Sequence, residues 1–583
     1  MDISTIGRPR NVGWVRAAAL LYGDWGTSKA YVIGLGVLLV GFTALPHLLA
    51  VCLVTGLVGI NYIWVCRCFA TGGGVYTAAG IHSRRLAMVG GLLLLADFIV
   101  TASLSCLDAF HYLGFDQVAA KKWAITAIFL MGAINFFGPK HTGSMAIWLA
   151  LPVFAIVLIL IIGGLPHLGN FQARPPTGGL LPNWVAFVGM ILALSGVEAA
   201  ASSTGVMQLD PDATLDKPSV RVTSRRAVTV VMIEVVLATA CLSVLAMCLP
   251  VEEAQLREHK EDMLRFMGEI FVGPGFGKVV GWVFALLLLS AVNTAIGGMV
   301  SLLFVMAHDR ELPATFTQLN RFGVPWVALI AATILPVIVL DLNDSVEALA
   351  SLYAIGVVGA IILDIGSCAF ARTLPLSGRE RLVMKLTLLL LAAIWITIAL
   401  SKSHALIFVV VVLVVGFSVR QFARGHFLHP EAPAVPARAS PPVPSPAAGQ
   451  FIGQSILVAA RGWTPALQFA LEEARVRGAH LLVLYVREVA VNIAMVSNWQ
   501  EDPDARVLFT RLESEAGGLK VNKLYSVSDS PADTIIDIAA TFGVDTVVLG
   551  GSRRAALVNL LKGNVVTRVA ANLPESMHLI VIG

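Results

Sequence analysis

Tyr22-Gly23-Asp24-Trp25-Gly26-Thr27-Ser28-Lys29-Ala30-Tyr31 lies inside the first long apolar run of the chain, and Val32-Ile33-Gly34-Leu35 continues that run beyond it. A carboxylate, an ammonium, two hydroxyls and two glycines stand where a lipid-embedded helix would be plain. Each charge at bilayer depth costs about 2.5–3.5 kcal/mol on insertion scales, so such residues face a cavity or a partner. Glycine lets the helix unwind, and freed backbone groups are tolerated only where protein buries them or where they line a polar cavity. The stretch therefore reads as a substrate site in a membrane-spanning segment.

Composition supports a membrane protein. Of 583 residues, 57% are hydrophobic and 13% charged, against about 25% charged in an ordinary soluble chain, and the mean hydropathy is +0.80. A formal net charge of +4 is small for this length and argues against a nucleic-acid partner. Cys52, Cys66, Cys68, Cys106, Cys241, Cys248 and Cys368 fall in or beside apolar runs. Their odd count and unpaired spacing make neither a disulfide framework nor a zinc site, so they read as packing residues. Arg8, Arg10 and Arg16 precede a run too long for a signal-peptide core, so the N-terminus is expected to be retained.

Apolar runs near 15–41, 44–70, 87–113, 122–138, 143–165, 182–207, 226–250, 276–307, 325–341, 346–371, 382–401 and 404–422 predict about twelve transmembrane helices. Arginine and lysine gather in alternate connections, as at Arg84 and Arg85, Arg225 and Arg226, and Arg379 and Arg381. Acids gather in the others, as at Glu252, Glu253 and Glu261. That bias predicts both termini in the cytoplasm. The sixth run is interrupted like the first, by Ser195-Gly196-Val197-Glu198-Ala199-Ala200-Ala201-Ser202-Ser203-Thr204-Gly205. Two broken spans five apart predict two inverted five-helix repeats with a site between the breaks.

Other polar residues lie at membrane depth. Asp97 and Thr101 are four apart and share a helix face, which suits a cation; a structural ion-pair role for Asp97 is the alternative. Glu198 is either a proton acceptor or a carboxylate held by unwound backbone amides. Asp364 follows Tyr353 by eleven residues, close to three turns. Lys29 cannot snorkel, because each end of its span is about 18 Å away at 1.5 Å per residue. Its partner is expected among Asp24, Asp97, Glu198 and Asp364.

Several segments together carry a family resemblance. Gly23-Asp24-Trp25-Gly26-Thr27-Ser28, Gly72-Gly73-Gly74-Val75-Tyr76-Thr77, Asp97-Phe98-Ile99-Val100-Thr101, Ser195-Gly196-Val197-Glu198-Ala199, Asn293-Thr294 and Leu352-Tyr353-Ala354-Ile355-Gly356-Val357 occur in order. The membrane part resembles the amino acid, polyamine and organocation (APC) transporters with the LeuT-type 5+5 inverted-repeat fold, and most closely the KUP and KimA-type proton-coupled potassium importers. The resemblance implies a potassium site of Asp24, Tyr31, Asp97, Thr101, Ser195 and Tyr353, with Glu198 carrying the proton. Three positions depart from the KimA pattern: Phe98 replaces Tyr, Ser195 replaces Thr, and Lys29 replaces an apolar residue. An ammonium has nearly the charge and size of potassium. Lys29 would then occupy an ion position or carry the coupling proton itself. Otherwise it neutralises Asp24 and leaves backbone amides for a substrate carboxylate, as in amino-acid permeases of the same superfamily.

A Pro/Ala-rich stretch at 429–450 reads as a linker between a 1–428 transporter domain and a 451–583 soluble domain. Ser455–Val458, Leu481–Val486, Thr546–Leu549 and Leu579–Ile582 read as buried strands separated by helices at 464–478 and 531–542, an α/β pattern. This part resembles universal stress proteins. The resemblance implies a regulatory nucleotide near Gly550, Arg553, Gly563 and Asn564, or homodimerisation through this domain. No resident cofactor, transition metal or enzymatic constellation is expected. The leading expectation is proton-coupled potassium uptake across the cytoplasmic (inner) membrane, with a small amino acid as the alternative substrate and a non-transporting sensor as a third class.

Overall fold

The computed structural model describes residues 3–6, 10, 12–138, 143–194, 196–213, 217–343, 345–426, 454–491, 499–551 and 556–583. The 429–450 linker, Ser195 and Arg553 fall outside these residues. The first part is all helix. In order come α1 (Trp14–Trp25), α2 (Ser28–Val40), α3 (Ala44–Cys68), α4 (Gly74–Gly80), α5 (Arg84–Tyr112), α6 (Gln117–Asn135), α7 (Gly143–Gly164), α8 (Leu180–Gly189) and α9 (Ala199–Ser203). They are followed by α10 (Arg221–Ala246), α11 (Glu253–Glu258), α12 (Met263–Phe271), α13 (Pro274–His308), α14 (Trp326–Leu342), α15 (Val346–Phe370), α16 (Gly378–Ser401) and α17 (Ser403–His426). Among the described residues, nine helical stretches are long and apolar enough to cross a membrane, with Trp14–Cys68 counted as one; α8 and α14 are shorter apolar helices.

The bundle is built around α5. Its most apolar window is 89% buried, against 22% for that of α6, because it packs against α4, α6, α13, α14, α15 and α17. Helices on the periphery instead turn Leu386, Leu389, Leu400, Ile407, Val411 and Val414 outward, as lipid-facing side chains should be. At Gly41 a φ of +57° lets the chain turn between α2 and α3, and a Cβ there would strike the Glu253 carboxylate at 2.1 Å. The acidic 252–271 connection, read from sequence only as an outside loop, folds into α11 and α12. It packs so closely on α2 that a Cβ at Gly34 would meet the Lys260 carbonyl oxygen at 1.8 Å. All seven cysteines are free; Cys52, Cys66, Cys106, Cys248 and Cys368 are buried, in keeping with packing roles, whereas Cys241 is exposed.

The C-terminal part is a six-stranded, wholly parallel sheet in the order β1 (Ile3–Ile6), β4 (Val521–Ser528), β3 (His480–Glu488), β2 (Ser455–Ala459), β5 (Thr546–Gly550) and β6 (His578–Ile582). Helices α18 (Pro465–Arg477), α19 (Pro503–Glu515), α20 (Pro531–Phe542), α21 (Ala556–Lys562) and α22 (Val565–Asn572) accompany the strands. The four expected strands and two expected helices are present. Strands β1 and β4 and helices α19, α21 and α22 were not anticipated. Strand β1 comes from the extreme N-terminus, and its backbone registers Ile3 to Lys523 through Ile6 to Ser526.

A second contact holds the sheet domain to the helices. The Lys562 ammonium donates to the Phe322 carbonyl at 2.5 Å and to Glu488 Oε1 at 2.7 Å, while Arg461 donates to Glu488 Oε2 at 2.5 Å. Lys562 and Glu488 are both buried, and Ala490 N–H donates to the Gly323 carbonyl at 2.9 Å. Around this polar clasp, Phe304 of α13 packs with Val489 and Val491. Removing one partner of a buried ion pair costs about 3–5 kcal/mol, because the other charge stays buried. Lys562→Met is therefore expected to raise amide hydrogen exchange at 322–324 and 488–491, whereas Glu472→Gln on the exposed face of α18 should leave both segments unchanged. Unchanged exchange in Lys562→Met would show that the clasp does not hold the domain.

Candidate functional site

The first span is broken over two residues, between Trp25 and Ser28. Helix ends leave carbonyls and amides without intrahelical partners, and local groups take them up here. Gly26 N–H donates to the Tyr22 carbonyl at 2.9 Å, and Thr27 Oγ1 donates to the Asp24 carbonyl at 2.6 Å. Ser28 Oγ donates to the Trp25 carbonyl at 2.9 Å. Thr27 N–H also reaches the Asp24 carbonyl, at 3.2 Å. The expected release of amides at this break is thus limited: those of Gly26 and Thr27 are already bonded.

The sixth span is broken more widely, between a short 3-10 turn at Ile191–Leu194 and α9. Gly196 adopts φ +85°, and a Cβ on it would lie 2.4 Å from Trp25 N and 2.7 Å from the Asp24 carbonyl carbon. The two breaks touch backbone to backbone, which only glycine allows. The triple glycine Gly72-Gly73-Gly74 has positive φ throughout and lies against the far end of this break, where Thr204 Oγ1 donates to the Phe69 carbonyl at 2.5 Å.

Around this contact the expected site residues come together. Asp24, Asp97, Glu198, Tyr31, Thr101 and Tyr353 are all buried. Asp97 lies close enough to Asp24 to feel its charge, Glu198 feels both, and Tyr353 lies within reach of all three and of Tyr31. The Gly356 backbone fits closely against Asp97, where a Cβ would come within 3.3 Å of its nitrogen. Both Asp97 carboxylate oxygens, Glu198 Oε2 and the Tyr353 hydroxyl lack a bond of hydrogen-bond geometry. The two hydroxyl neighbours are partly committed: Tyr31 Oη and Thr27 Oγ1 share a bond at 2.9 Å, and Thr101 Oγ1 donates to the Asp97 carbonyl at 2.9 Å. Glu198 sits beside the backbone amides of Gly196 and of its own residue, the arrangement that competed with a proton-acceptor role. Phe98, which lacks a hydroxyl, fills the space against Gly298 of α13. Ser195 lies outside the described residues.

Lys29 is not paired as expected. None of Asp24, Asp97, Glu198 or Asp364 holds it. Its ammonium donates to both oxygens of Glu234 on α10, at 2.8 Å each, and to the Tyr22 hydroxyl at 3.0 Å. That hydroxyl donates in turn to Glu234 Oε1 at 2.9 Å. The ammonium also stands 4.7 Å from the centre of the Tyr22 ring. The physical reason is directional. At Ser28 the new helix places Lys29 on the face of α2 that packs on α10, whereas Asp24 faces the break in span six. Lys29 thus does not occupy an ion position among the site carboxylates. Glu234 was overlooked, although it is an acid inside an apolar run and should have been read as functional by default.

At the C-terminal domain, Gly550 ends β5 and Gly563 has φ +76°. Asn564 Oδ1 is spent capping α22, accepting from Val566 N–H at 3.0 Å. Arg553 lies outside the described residues.

This is the architecture of a polytopic membrane carrier with a buried polar site. Residues 12–439 match the amino acid permease family, and the chain belongs to that family; residues 455–580 match the universal stress protein family. The chain is similar to an L-asparagine permease of Escherichia coli (strain K12), 26% identical over 249 residues that cover 40% of this chain and 48% of that protein. The L-asparagine permease of Salmonella typhimurium gives the same figures. An uncharacterized amino acid permease, YtnA, of Bacillus subtilis is 25% identical over 234 residues, covering 38% of this chain and 49% of that protein. The chain spans about half the length of the curated relatives it matches. These relatives support the amino-acid alternative over potassium, and closeness to the KUP and KimA importers is not supported. A transporter of this family is not an enzyme.

Two predictions follow from the packing. Lys29→Met and Glu234→Gln should each destabilise the detergent-purified protein by about 3–5 kcal/mol, while the double variant should recover much of the loss. A double variant no more stable than the worse single one would show that the two charges do not neutralise each other. Gly196→Ala should abolish transport, since its Cβ would overlap the Trp25 backbone; uptake equal to wild type would contradict the contact between the breaks.

Proposed function

We propose that the protein takes up small amino acids together with protons across the cytoplasmic membrane. Membership of the amino acid permease family carries this reading. Three buried carboxylates whose nearest lysine is engaged elsewhere support it. In this reading the substrate ammonium approaches Asp24 and Asp97, with Tyr31, Thr101 and Tyr353 shaping the cavity. Its carboxylate lies toward the turn at Gly196, and Glu198 takes up the coupling proton. Because Lys29 is held by Glu234, the ammonium of the substrate supplies the positive charge that the site lacks. Asparagine is the first candidate, since the relatives named above include L-asparagine permeases.

The same reading organises the membrane part. Helices α1 with α2, and α8 through α9, each make one interrupted crossing. With α3, α5, α6, α7, α10, α13, α14, α15, α16 and α17 they give twelve, arranged as two inverted repeats of five followed by two further spans. The arginine-rich connections support a cytoplasmic position for both termini. There the 451–583 domain, joined through the 429–450 linker, acts as a regulator of transport. A nucleotide near Gly550 and Gly563, or pairing of two copies, are the ways it would do so.

In proteoliposomes with an acidic exterior, labelled asparagine or another small amino acid should accumulate. Asp97→Asn should reduce that uptake by about tenfold or more, the scale on which a lost proton-transfer or charge partner acts. Uptake that is flat across a broad amino-acid panel, together with rescue of potassium-uptake-deficient bacteria in low potassium, would overturn the reading in favour of potassium.

A further inference from the structure

Asp364 lies in the lower half of α15 and plays no part in the site described above. It is 0% exposed, and neither carboxylate oxygen has a bond of hydrogen-bond geometry. Its nearest functional neighbour is Tyr62 of α3, also 0% exposed, with a hydroxyl equally without a bond. Tyr62 interacts electrostatically with two acids, Asp364 and Glu198. The three groups come from three elements, α3, α15 and the break in span six, which pack on one another. Burying a carboxylate and a phenol without partners is costly, and intramembrane acids of this kind mark ion pathways and proton relays.

Position along the helix gives the direction. Tyr353 marks the level of the site on α15, and Asp364 is eleven residues further on, about 16 Å at 1.5 Å per residue. Six more residues, about 9 Å, reach the end of the helix at Phe370. Beyond it lie Arg372 in the connection and Arg379 and Arg381 in the first turn of α16. Asp364 therefore stands between the site and the arginine-rich face.

The charged and titratable groups around it are few. Cys66 of α3 interacts with Asp364, and Cys368 one turn along α15 interacts with it and with Cys66 and Cys68. His82, in the turn after α4, contacts the Ser367 carbonyl at 2.9 Å, and Arg381 of α16 donates to the Ala369 carbonyl at 3.3 Å. From α17, Arg420 is spent on Glu311. On α5, Asp97 sits level with Gly356, eight residues before Asp364. No cation is described as paired with the Asp364 carboxylate.

We propose that Tyr62 and Asp364 form the inner proton relay of this permease, passing the proton released by Glu198 to the cytoplasmic face. The inference rests on the proton-coupled reading given above. In the step, the Glu198 proton bonds to Tyr62 Oη while the Tyr62 hydroxyl proton passes to an Asp364 oxygen. Glu198 ends as a carboxylate, Tyr62 is unchanged, and Asp364 is protonated until water at the inner face takes the proton. Tyr62 and Asp364 already interact, short of full hydrogen-bond geometry, and the relay requires the link from Glu198 to Tyr62 to form during the transport cycle.

The test uses the full-length protein in proteoliposomes with two readouts: accumulation of labelled asparagine driven by a pH gradient, and exchange of labelled for unlabelled asparagine with no gradient. Asp364→Asn and Tyr62→Phe should lower accumulation by about tenfold or more and leave exchange close to wild type, while Asp364→Glu should retain accumulation. Full accumulation by both Asp364→Asn and Tyr62→Phe would overturn the relay, and so would loss of exchange in Asp364→Asn, which would indicate a structural role. Absence of both activities in the wild type would instead be a failure of the amino-acid reading on which the relay depends.

Discussion

The ion pair between the fully buried Lys29 and the part-buried Glu234 decides what the site can hold. A lysine at the centre of the first span, 0% exposed, must be neutralised within the protein. Had Asp24 or Asp97 been its partner, the central cavity would already contain its cation, and a substrate would have to present an anion first. With Glu234 and Tyr22 taking all the charge, Asp24, Asp97 and Glu198 remain together with no lysine or arginine described among them. A cluster of carboxylates at that depth persists by holding protons or by receiving a cation. An amino acid with its ammonium and a coupling proton can supply both. The same pair also fixes the geometry, since it ties the upper half of the first span to α10 while Gly196 ties the break to the sixth span.

Most of the fold was legible because a bilayer enforces it. Most of the long apolar runs correspond to long helices, while the run at 182–207 folds as α8, a 3-10 turn and α9; the first span breaks at 26–27 and the sixth around Gly196. The ring of Asp24, Asp97, Glu198, Tyr31, Thr101 and Tyr353 was readable for the same reason, since polar groups in lipid have to converge. What could not be read was the choice of partner. Four acids were in reach of Lys29 by sequence, and the fifth, Glu234, was fixed by the facing of α2 on α10. The potassium reading came from short motifs around the breaks, which amino acid permeases of the same superfamily can share, whereas family membership rests on residues 12–439 as a whole.

The sheet domain shows a second limit. β1 is only Ile3-Ser4-Thr5-Ile6, too short to announce itself, and its partner lies more than 500 residues away. In β4, the segment Val521-Asn522-Lys523-Leu524-Tyr525-Ser526-Val527-Ser528 buries Lys523, Ser526 and Ser528, so it lacks the apolar run expected of a central parallel strand. Lys523 is accommodated by pairing with Glu513 of α19. Together β1 and the Lys562 clasp connect the sheet domain to two parts of the carrier, the chain leading into α1 and the connection before α14.

The central claim is that the site is anionic and waits for the ammonium of its substrate. The most direct measurement is calorimetric titration of the purified protein with a transported amino acid and with the same molecule lacking its α-amino group. If Lys29 is fully engaged by Glu234, the amino acid binds and the deaminated analogue does not. Equal binding of the two would mean that the carboxylates do not receive the ammonium, and the account of the site would fail.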